Sequence, residues 1–294
     1  MASVPYPVTV HPFTSQVPFS CAYERGNASS RNALVYLGGL TSGPHTTPQV
    51  NFLIETLGTT SELSYSFWEF RMRSSYTGFG YSSLANDAED IAALVVYLRG
   101  LGKIKIVLLG SSTGCQDILT YAKSQSSSLP VDAFILQAPT SDRETGSLLM
   151  PEDFLSTTLK HAQDMIAKGE QNEIMPKSLI PPIFTSPITA YRWHSLISKR
   201  GDDDFFSSDL HDTALQDSFG RLDKPTLIMP SEEDEMVPKS VDKMALLARW
   251  SNAAPSGVVS ELSGINPGAD HELSGQEMQK WFVDRVMAFL GTVE

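Results

Sequence analysis

The 294-residue sequence has little cysteine, no long apolar run and a deficit of positive charge. Only Cys21 and Cys115 occur, so the chain cannot build a disulfide framework or a cysteine-based zinc site. No stretch approaches the roughly 18 apolar residues of a membrane span. Lysine and arginine number 22 against 34 aspartates and glutamates, a formal net charge of −12, and no basic stripe could neutralise a phosphate backbone. We therefore expect neither nucleic acid nor a membrane as a partner.

The opening segment MASVPYPVTV has neither the charged region nor the apolar run of a secretory signal, which predicts a cytoplasmic location. Hydrophobic residues at 41% and charged residues at 19% are typical of a globular protein and exclude a disordered chain. The length fits either two domains or one large α/β domain. Nothing in the sequence indicates an oligomeric state.

Short apolar runs alternate with helical patterns in the first half of the chain. In Leu84–Leu98 the apolar residues recur at spacings of four and three, which predicts an amphipathic helix capped by Ser82 or Ser83. The predicted strands are Val8–Phe13 and Phe19–Tyr23 as an opening pair, then Ala33–Leu37, Tyr65–Phe70, Ile104–Leu109 and Val131–Ala138. This alternation indicates a mostly parallel sheet with helices on both faces.

The alternation breaks between Thr140 and Gly220. This stretch holds a long amphipathic helix pattern, several prolines and the acidic run Asp202–Asp204. We interpret 140–220 as an inserted helical cap, and 1–139 together with 221–294 as the core. After it we predict strand Pro225–Met229, helix Pro238–Trp250, strand Gly257–Leu262 and a terminal helix whose apolar face is Met278, Phe282, Val286 and Phe289.

The motif Gly110-Ser111-Ser112-Thr113-Gly114 stands directly after a predicted buried strand and before a helical pattern. G-x-S-x-G between a strand and a helix is typical of the sharp turn that exposes a nucleophilic serine. The glycines allow the strand and the helix to pass closely. The sequence therefore predicts Ser112 as a nucleophile.

A serine nucleophile needs a histidine to take its proton and a carboxylate to orient that histidine. Asp234 follows the predicted strand Pro225–Met229, and His271 follows Gly257–Leu262, in the chain order Ser, Asp, His that this architecture uses. We predict these two as the acid and the base, and interpret Asp270 as a local turn or capping residue. The competing bases are His11, His45, His161, His194 and His211, and the competing acids are Asp142, Glu232, Glu233 and Glu235.

The tetrahedral intermediate requires N–H donors for its oxyanion. The residue after the nucleophile, Thr113, supplies one backbone N–H, and the loop Gly38–Gly43 supplies the other, with Leu40 as the predicted donor. That loop matches neither G-x-G-x-x-G nor G-x-x-x-x-G-K-[ST], which disfavours a nucleotide site.

No metal or cofactor is required by this chemistry, and we expect none. The run Asp202–Asp204 lacks the spaced partners of a calcium loop, so a capping or surface role is favoured over cation binding. Cys115 is interpreted as a small buried apolar residue and not as a thiol nucleophile.

Six segments carry a family resemblance: LGGLTSG, GSSTGCQD, YRWHSL, GDDDFFSSDL, PSEEDEMVP and GADHEL. Together they resemble a fungal, plant and protist α/β-hydrolase family long catalogued as a domain of unknown function, whose best-known members are intracellular fungal siderophore esterases. The resemblance runs from about Pro18 to Leu290. It implies hydrolysis of esters in hydroxamate siderophores such as fusarinines, with Ser112, Asp234 and His271 at the matching triad positions.

The sequence departs from that family at two places. Ser111 stands where these proteins usually have His, and Thr41-Ser42 stands where Thr-Asp is common.

We predict an α/β-hydrolase fold and a serine hydrolase that cleaves a carboxylic ester or lactone of a small molecule. The alternatives are an acyltransferase, cyclase or lyase that uses the same triad, and a ligand-binding homologue without catalysis.

Overall fold

The computed structural model describes residues 5–60 and 62–293; residues 1–4, the start of the MASVPYPVTV segment, lie outside the described residues. Its sheet has seven strands in the order β1-β2-β4-β3-β5-β6-β7. Their bounds are β1 Thr9–Pro12, β2 Cys21–Arg25, β3 Asn32–Leu37, β4 Tyr65–Phe70, β5 Ile106–Ser111, β6 Ala133–Gln137 and β7 Thr226–Met229. β2 pairs antiparallel with β1 and β4, and the remaining pairs are parallel.

Nine α-helices connect and follow these strands in the described residues. They are α1 Asn51–Thr59, α2 Leu84–Gly100, α3 Gly114–Ser124, α4 Asp142–Leu149, α5 Glu152–Ala167, α6 Ala190–Ile197, α7 Asp212–Ser218, α8 Lys243–Ala253 and α9 Gln276–Leu290. Among these helices, none combines the length and the apolar composition that crossing a bilayer requires.

Successive residues of the central strands point to opposite faces of the sheet. Leu34 packs in one apolar cluster with residues of α1 and α9, while its neighbour Val35 packs in another with residues of α2 and α3. In β5, Val107 packs in the same cluster as Leu34, and Leu108 packs in the same cluster as Val35. Both faces are therefore covered by helices, as the continuous apolar runs predict.

The segment between β6 and β7 supplies most of a third apolar cluster, which includes Met165 and Trp193. Arg192 of α6 joins this segment to the rest of the molecule, because its Nε donates to the Phe79 carbonyl at 2.9 Å. Its Nη1 pairs with Asp203 at 2.5 Å. Phe79 itself is a member of the same apolar cluster.

Two predicted elements differ from the structure. Gly257–Leu262 is not a strand: it meets β7 only at an isolated bridge between Thr226 and Val259. The Ser263 hydroxyl accepts the Ile228 N–H at 3.0 Å, so a side chain takes the place of a backbone partner and the ladder stops. The helix predicted from Pro238 begins instead at Lys243, where the Asp242 carboxylate caps it by accepting the Ala245 N–H.

Candidate active site

Ser112 sits between β5 and α3 with a positive φ of 55°, a conformation that few non-glycine residues adopt. A Cβ on Gly110 would lie 2.3 Å from the Gly114 carbonyl oxygen, and a Cβ on Gly114 would lie 2.1 Å from the Leu37 carbonyl oxygen. Both positions therefore accept only glycine. The strained turn that results holds the serine at the carboxyl end of the sheet.

A continuous line of hydrogen bonds joins Ser112, His271 and Asp234. The Ser112 Oγ lies 2.9 Å from His271 Nε2, and His271 Nδ1 lies 2.9 Å and 3.0 Å from the two Asp234 carboxylate oxygens. Asp234 is buried and also accepts the Met236 N–H at 2.9 Å. The structure thus brings together the three residues that the sequence predicts as nucleophile, base and acid.

The pKa of His271 is shifted by two opposing effects. Burial disfavours the imidazolium form and lowers the pKa. The hydrogen bond that Nδ1–H donates to Asp234 and the negative charge of Asp234 oppose this, and the charges of Glu235 and Glu272 add to them, so the net pKa lies above the ordinary value of 6.5. The site therefore stabilises the imidazolium that proton transfer from a serine would create.

The competing histidines and acids lie elsewhere or have other partners. His11 contacts Glu24 and Tyr97, and His45 contacts Glu69. His161 lies on α5, His194 on α6, and His211 immediately precedes α7.

The carboxylates near His271 are also engaged. Glu232 accepts the Gly268 N–H, Glu235 accepts the His271 backbone N–H, and Asp270 accepts the Ser274 N–H. Glu233 is exposed. Asp142 accepts the Gln116 side-chain amide at 2.8 Å. Asp234 is thus the carboxylate bonded to the imidazole in this part of the chain.

The predicted oxyanion loop packs against the serine. A Cβ on Gly39 would lie 2.9 Å from Ser112 Cβ, so the backbone beside Leu40 reaches the nucleophile only because residue 39 is glycine. Within 5–60 and 62–293, neither the Leu40 N–H nor the Thr113 N–H donates a hydrogen bond to another protein group. Both donors are available to a ligand.

A pocket of about 390 Å³ opens over Ser112 and His271. Apolar side chains from the loops at the sheet edge and from the segment between β6 and β7 line the pocket. They include Leu40, Val50, Leu149, Ile183, Phe184 and Met236. Polar groups such as Gln137 and Thr145 complete the lining. The volume is in the range of small-molecule sites.

The acidic run Asp202–Asp204 is tied into protein contacts. Asp203 pairs with Arg192, Asp204 with Arg143, and Asp202 accepts the Tyr191 hydroxyl. Among the described residues, no group of three or more His, Cys, Asp or Glu side chains is arranged to bind a metal.

The Cys115 thiol is buried, and burial raises its pKa well above the ordinary value. It donates to the carbonyl oxygens of Gly110 and Gln137 at 3.3 Å. A thiol in this state is a poor nucleophile, which agrees with the apolar role predicted for it.

Sequence reasoning missed Gln116 and Arg192. Gln116 donates to the Thr140 carbonyl and to the Asp142 carboxylate, and so links α3 to the chain after β6. Arg192 is buried near Asp87, Asp117 and Asp142 as well as Asp203. The segments GCQD and YRWHSL carry these residues, but their sequence alone does not show that they meet.

Comparison with known proteins places the chain in a family. Residues 1–291 match the family described as "Protein of unknown function (DUF1749)". The chain belongs to this family. A UPF0613 protein of Schizosaccharomyces pombe is 32% identical over 312 residues, covering 98% of each chain. Fusarinine C esterase sidJ of Aspergillus fumigatus is 28% identical over 345 residues, covering 98% of this chain and 96% of that protein.

A solved structure supports the same placement. Siderophore hydrolase EstB from Aspergillus fumigatus superposes with a TM-score of 0.83 at 28% sequence identity, covering 100% of this chain and 99% of that one. The predicted α/β-hydrolase fold and the family resemblance are confirmed. The prediction of an enzyme of the α/β-hydrolase class is confirmed by the same relatives.

Proposed function

We propose that this protein hydrolyses a carboxylic ester or lactone, with Ser112 as nucleophile, His271 as general base and acid, and Asp234 as the orienting carboxylate. The observation that carries the proposal is the hydrogen-bonded line from Ser112 Oγ through the imidazole to the Asp234 carboxylate. Nucleophile, base and orienting group within hydrogen-bond reach are the geometric signature of this chemistry.

In the first half-reaction Ser112 Oγ attacks the ester carbonyl carbon while its proton moves to His271 Nε2. The carbonyl oxygen becomes an oxyanion, which the N–H groups of Leu40 and Thr113 are proposed to hold. When the intermediate collapses, the alcohol leaves with the proton from His271 and the acyl group stays on Ser112. Water then gives a proton to His271, attacks the acyl carbon, and releases the acid and the free serine.

The proposed substrate is a hydroxamate siderophore or a related natural-product ester. Support comes from relatives whose names refer to fusarinine C and to siderophores, each 28% identical over nearly the whole chain. Ser111 and Ser42, where the family more often has His and Asp, lie in the pocket wall. These positions are therefore where acyl specificity can differ from that of the named relatives.

We also propose that 140–220 is a cap domain inserted into a core of 1–139 and 221–294. An apolar cluster built mostly from residues of this segment supports this division. Leu149, Ile183 and Phe184 from the segment line the pocket, so the cap would shape the substrate site. The cytoplasmic location stays a prediction.

The test is to incubate the protein with a panel of ester metabolites and to follow addition of water by mass spectrometry, with Ser112→Ala as the matched control. Labelling of Ser112 by a fluorophosphonate separates catalysis from binding alone. Transfer of the acyl group to an added acceptor, without the free acid as a product, would instead identify an acyltransferase.

A further inference from the structure

Asp142 lines the pocket that contains Ser112 and His271, yet it is not hydrogen-bonded to either. Its Oδ2 accepts the Gln116 amide at 2.8 Å. In the part of the chain that the structure describes, its Oδ1 accepts no hydrogen bond and is not sealed off by protein. Asp142 is therefore a pocket-lining residue with one carboxylate oxygen available to a donor.

In the part of the chain that the structure describes, no lysine or arginine is hydrogen-bonded to Asp142, although the nearby charge of His271 lowers its pKa. None of the described residues that line the pocket is lysine or arginine. Arg192 lies close enough to lower the pKa of Asp142, but its guanidinium is bonded to Asp203 at 2.5 Å. Burial, and after it the charge of Asp203, raises the pKa of Asp142 to about 7. The ionised carboxylate is thus under-compensated, which is common at binding sites.

We propose that Asp142 binds a protonated amine on the substrate, so that the pocket selects amino-substituted esters over neutral and anionic ones. The inference rests on the proposed function, since it takes Ser112 and His271 as the reacting groups of the same pocket. An ammonium group donates to a carboxylate through a short, charge-assisted hydrogen bond. The apolar walls at Leu149 and Ile183 receive the remainder of the molecule.

A second carboxylate in the pocket acts in the same direction as Asp142. Glu272 lines it as well and is exposed, where it accepts the Gln49 side-chain amide. The whole chain carries a formal net charge of −12. An approaching cation is therefore attracted, whereas a carboxylate on the substrate would meet two like charges in a partly enclosed site.

The binding experiment uses three non-hydrolysable amides of one carbon skeleton, which carry an ammonium, an uncharged methyl or a carboxylate at the same position. Affinity is measured by calorimetry for the wild-type protein, Asp142→Asn and Asp153→Asn. Asp153 is exposed on α5 and does not line the pocket, so its substitution removes one negative charge as a matched control. A second uncharged variant, Asp142→Ser, tests the charge without an amide beside Gln116.

We expect the ammonium compound to bind wild-type protein about ten- to hundredfold more tightly than the methyl compound. Both Asp142 variants should lose most of this margin, and Asp153→Asn should keep it. The inference is overturned if the Asp142 variants keep the same affinity ratio between the ammonium and methyl compounds as the wild type. It is also overturned if the wild-type protein binds the two compounds equally tightly.

Turnover of the three corresponding esters separates this inference from the proposed function. Hydrolysis of all three at similar kcat/KM overturns the role of Asp142 and leaves the esterase intact. An Asp142-dependent preference for the ammonium amide, with none of the esters hydrolysed, supports the binding site and contradicts the proposed reaction.

Discussion

At the scale of single residues, the proposed chemistry depends on one atom, the Oγ of Ser112. Replacing it by alanine removes Oγ and changes little else, because both side chains are small. We expect Ser112→Ala to lower kcat by a factor on the order of 10⁴ or more, with an unchanged melting temperature. Steady-state kinetics on a responsive ester, with circular dichroism melts, check both points. A variant that keeps a tenth of the activity would contradict the assignment.

The raised pKa of His271 gives a second expectation at this scale. The imidazole accepts the serine proton only when it is neutral, so kcat/KM should rise with pH along a limb centred above 6.5. Asp234→Asn removes the charge that raises the pKa of His271 against the effect of burial. The rising limb of kcat/KM should therefore move to lower pH, and kcat should fall by a factor of about 10⁴. Asp270→Asn, which changes a neighbouring turn residue, should leave the limb in place. A kcat/KM that falls as the pH rises across this range would indicate another base.

Sequence reasoning could predict Ser112, Asp234 and His271 because each follows a recognisable apolar run. Gln116, Arg192 and the partners of Asp142 could not be predicted in the same way. Their contacts join α3, α6 and the chain after β6, and nothing local fixes which of these elements pack together.

At the scale of elements, the crossing of β5 and α3 depends on glycine. We expect Gly114→Ala to lower the free energy of unfolding by about 1–3 kcal/mol, the usual cost of overpacking, because its Cβ would overlap the Leu37 carbonyl oxygen. Gly58→Ala is the control: it lies in α1 with no atom within 4 Å of its added Cβ, and should stabilise the helix by about 0.5–1 kcal/mol. Urea denaturation measures both. Equal effects would mean that the crossing tolerates a side chain.

Parallel strands were predictable where the apolar run is continuous, as in β3 and β6. The error at Gly257–Leu262 has a physical cause: a side-chain hydroxyl, Ser263, replaces a backbone acceptor for Ile228. The pattern of apolar residues does not reveal that a side chain has replaced a backbone hydrogen-bond partner. His271 nevertheless follows this segment, so the site prediction did not need a full strand.

At the scale of the whole molecule, buried carboxyls make stability depend on pH. Burial raises the pKa of Asp87 to about 7, so the folded protein holds a proton that the unfolded chain releases near 3.8. Its contribution to stability is complete below that value and is lost as pH rises through about 7. We therefore expect the melting temperature to fall between pH 5 and pH 8, and to fall less in Asp87→Asn. Calorimetry at several pH values provides the measurement; an identical slope in the variant would exclude Asp87 as a cause.

Arg192 has a consequence for how the molecule moves. Its guanidinium is bonded to Asp203 within the segment and to the Phe79 carbonyl outside it, both away from water. Swinging α6 outward would break the bond to Phe79 and remove the Arg192 charge from the buried carboxyls of Asp87 and Asp117. These contacts oppose a hinged motion of the segment, so we expect ligands to reach Ser112 without it, past the exposed pocket residues Leu149 and Ile183. In native-state hydrogen exchange, the α6 amides would then be released only in the global unfolding event.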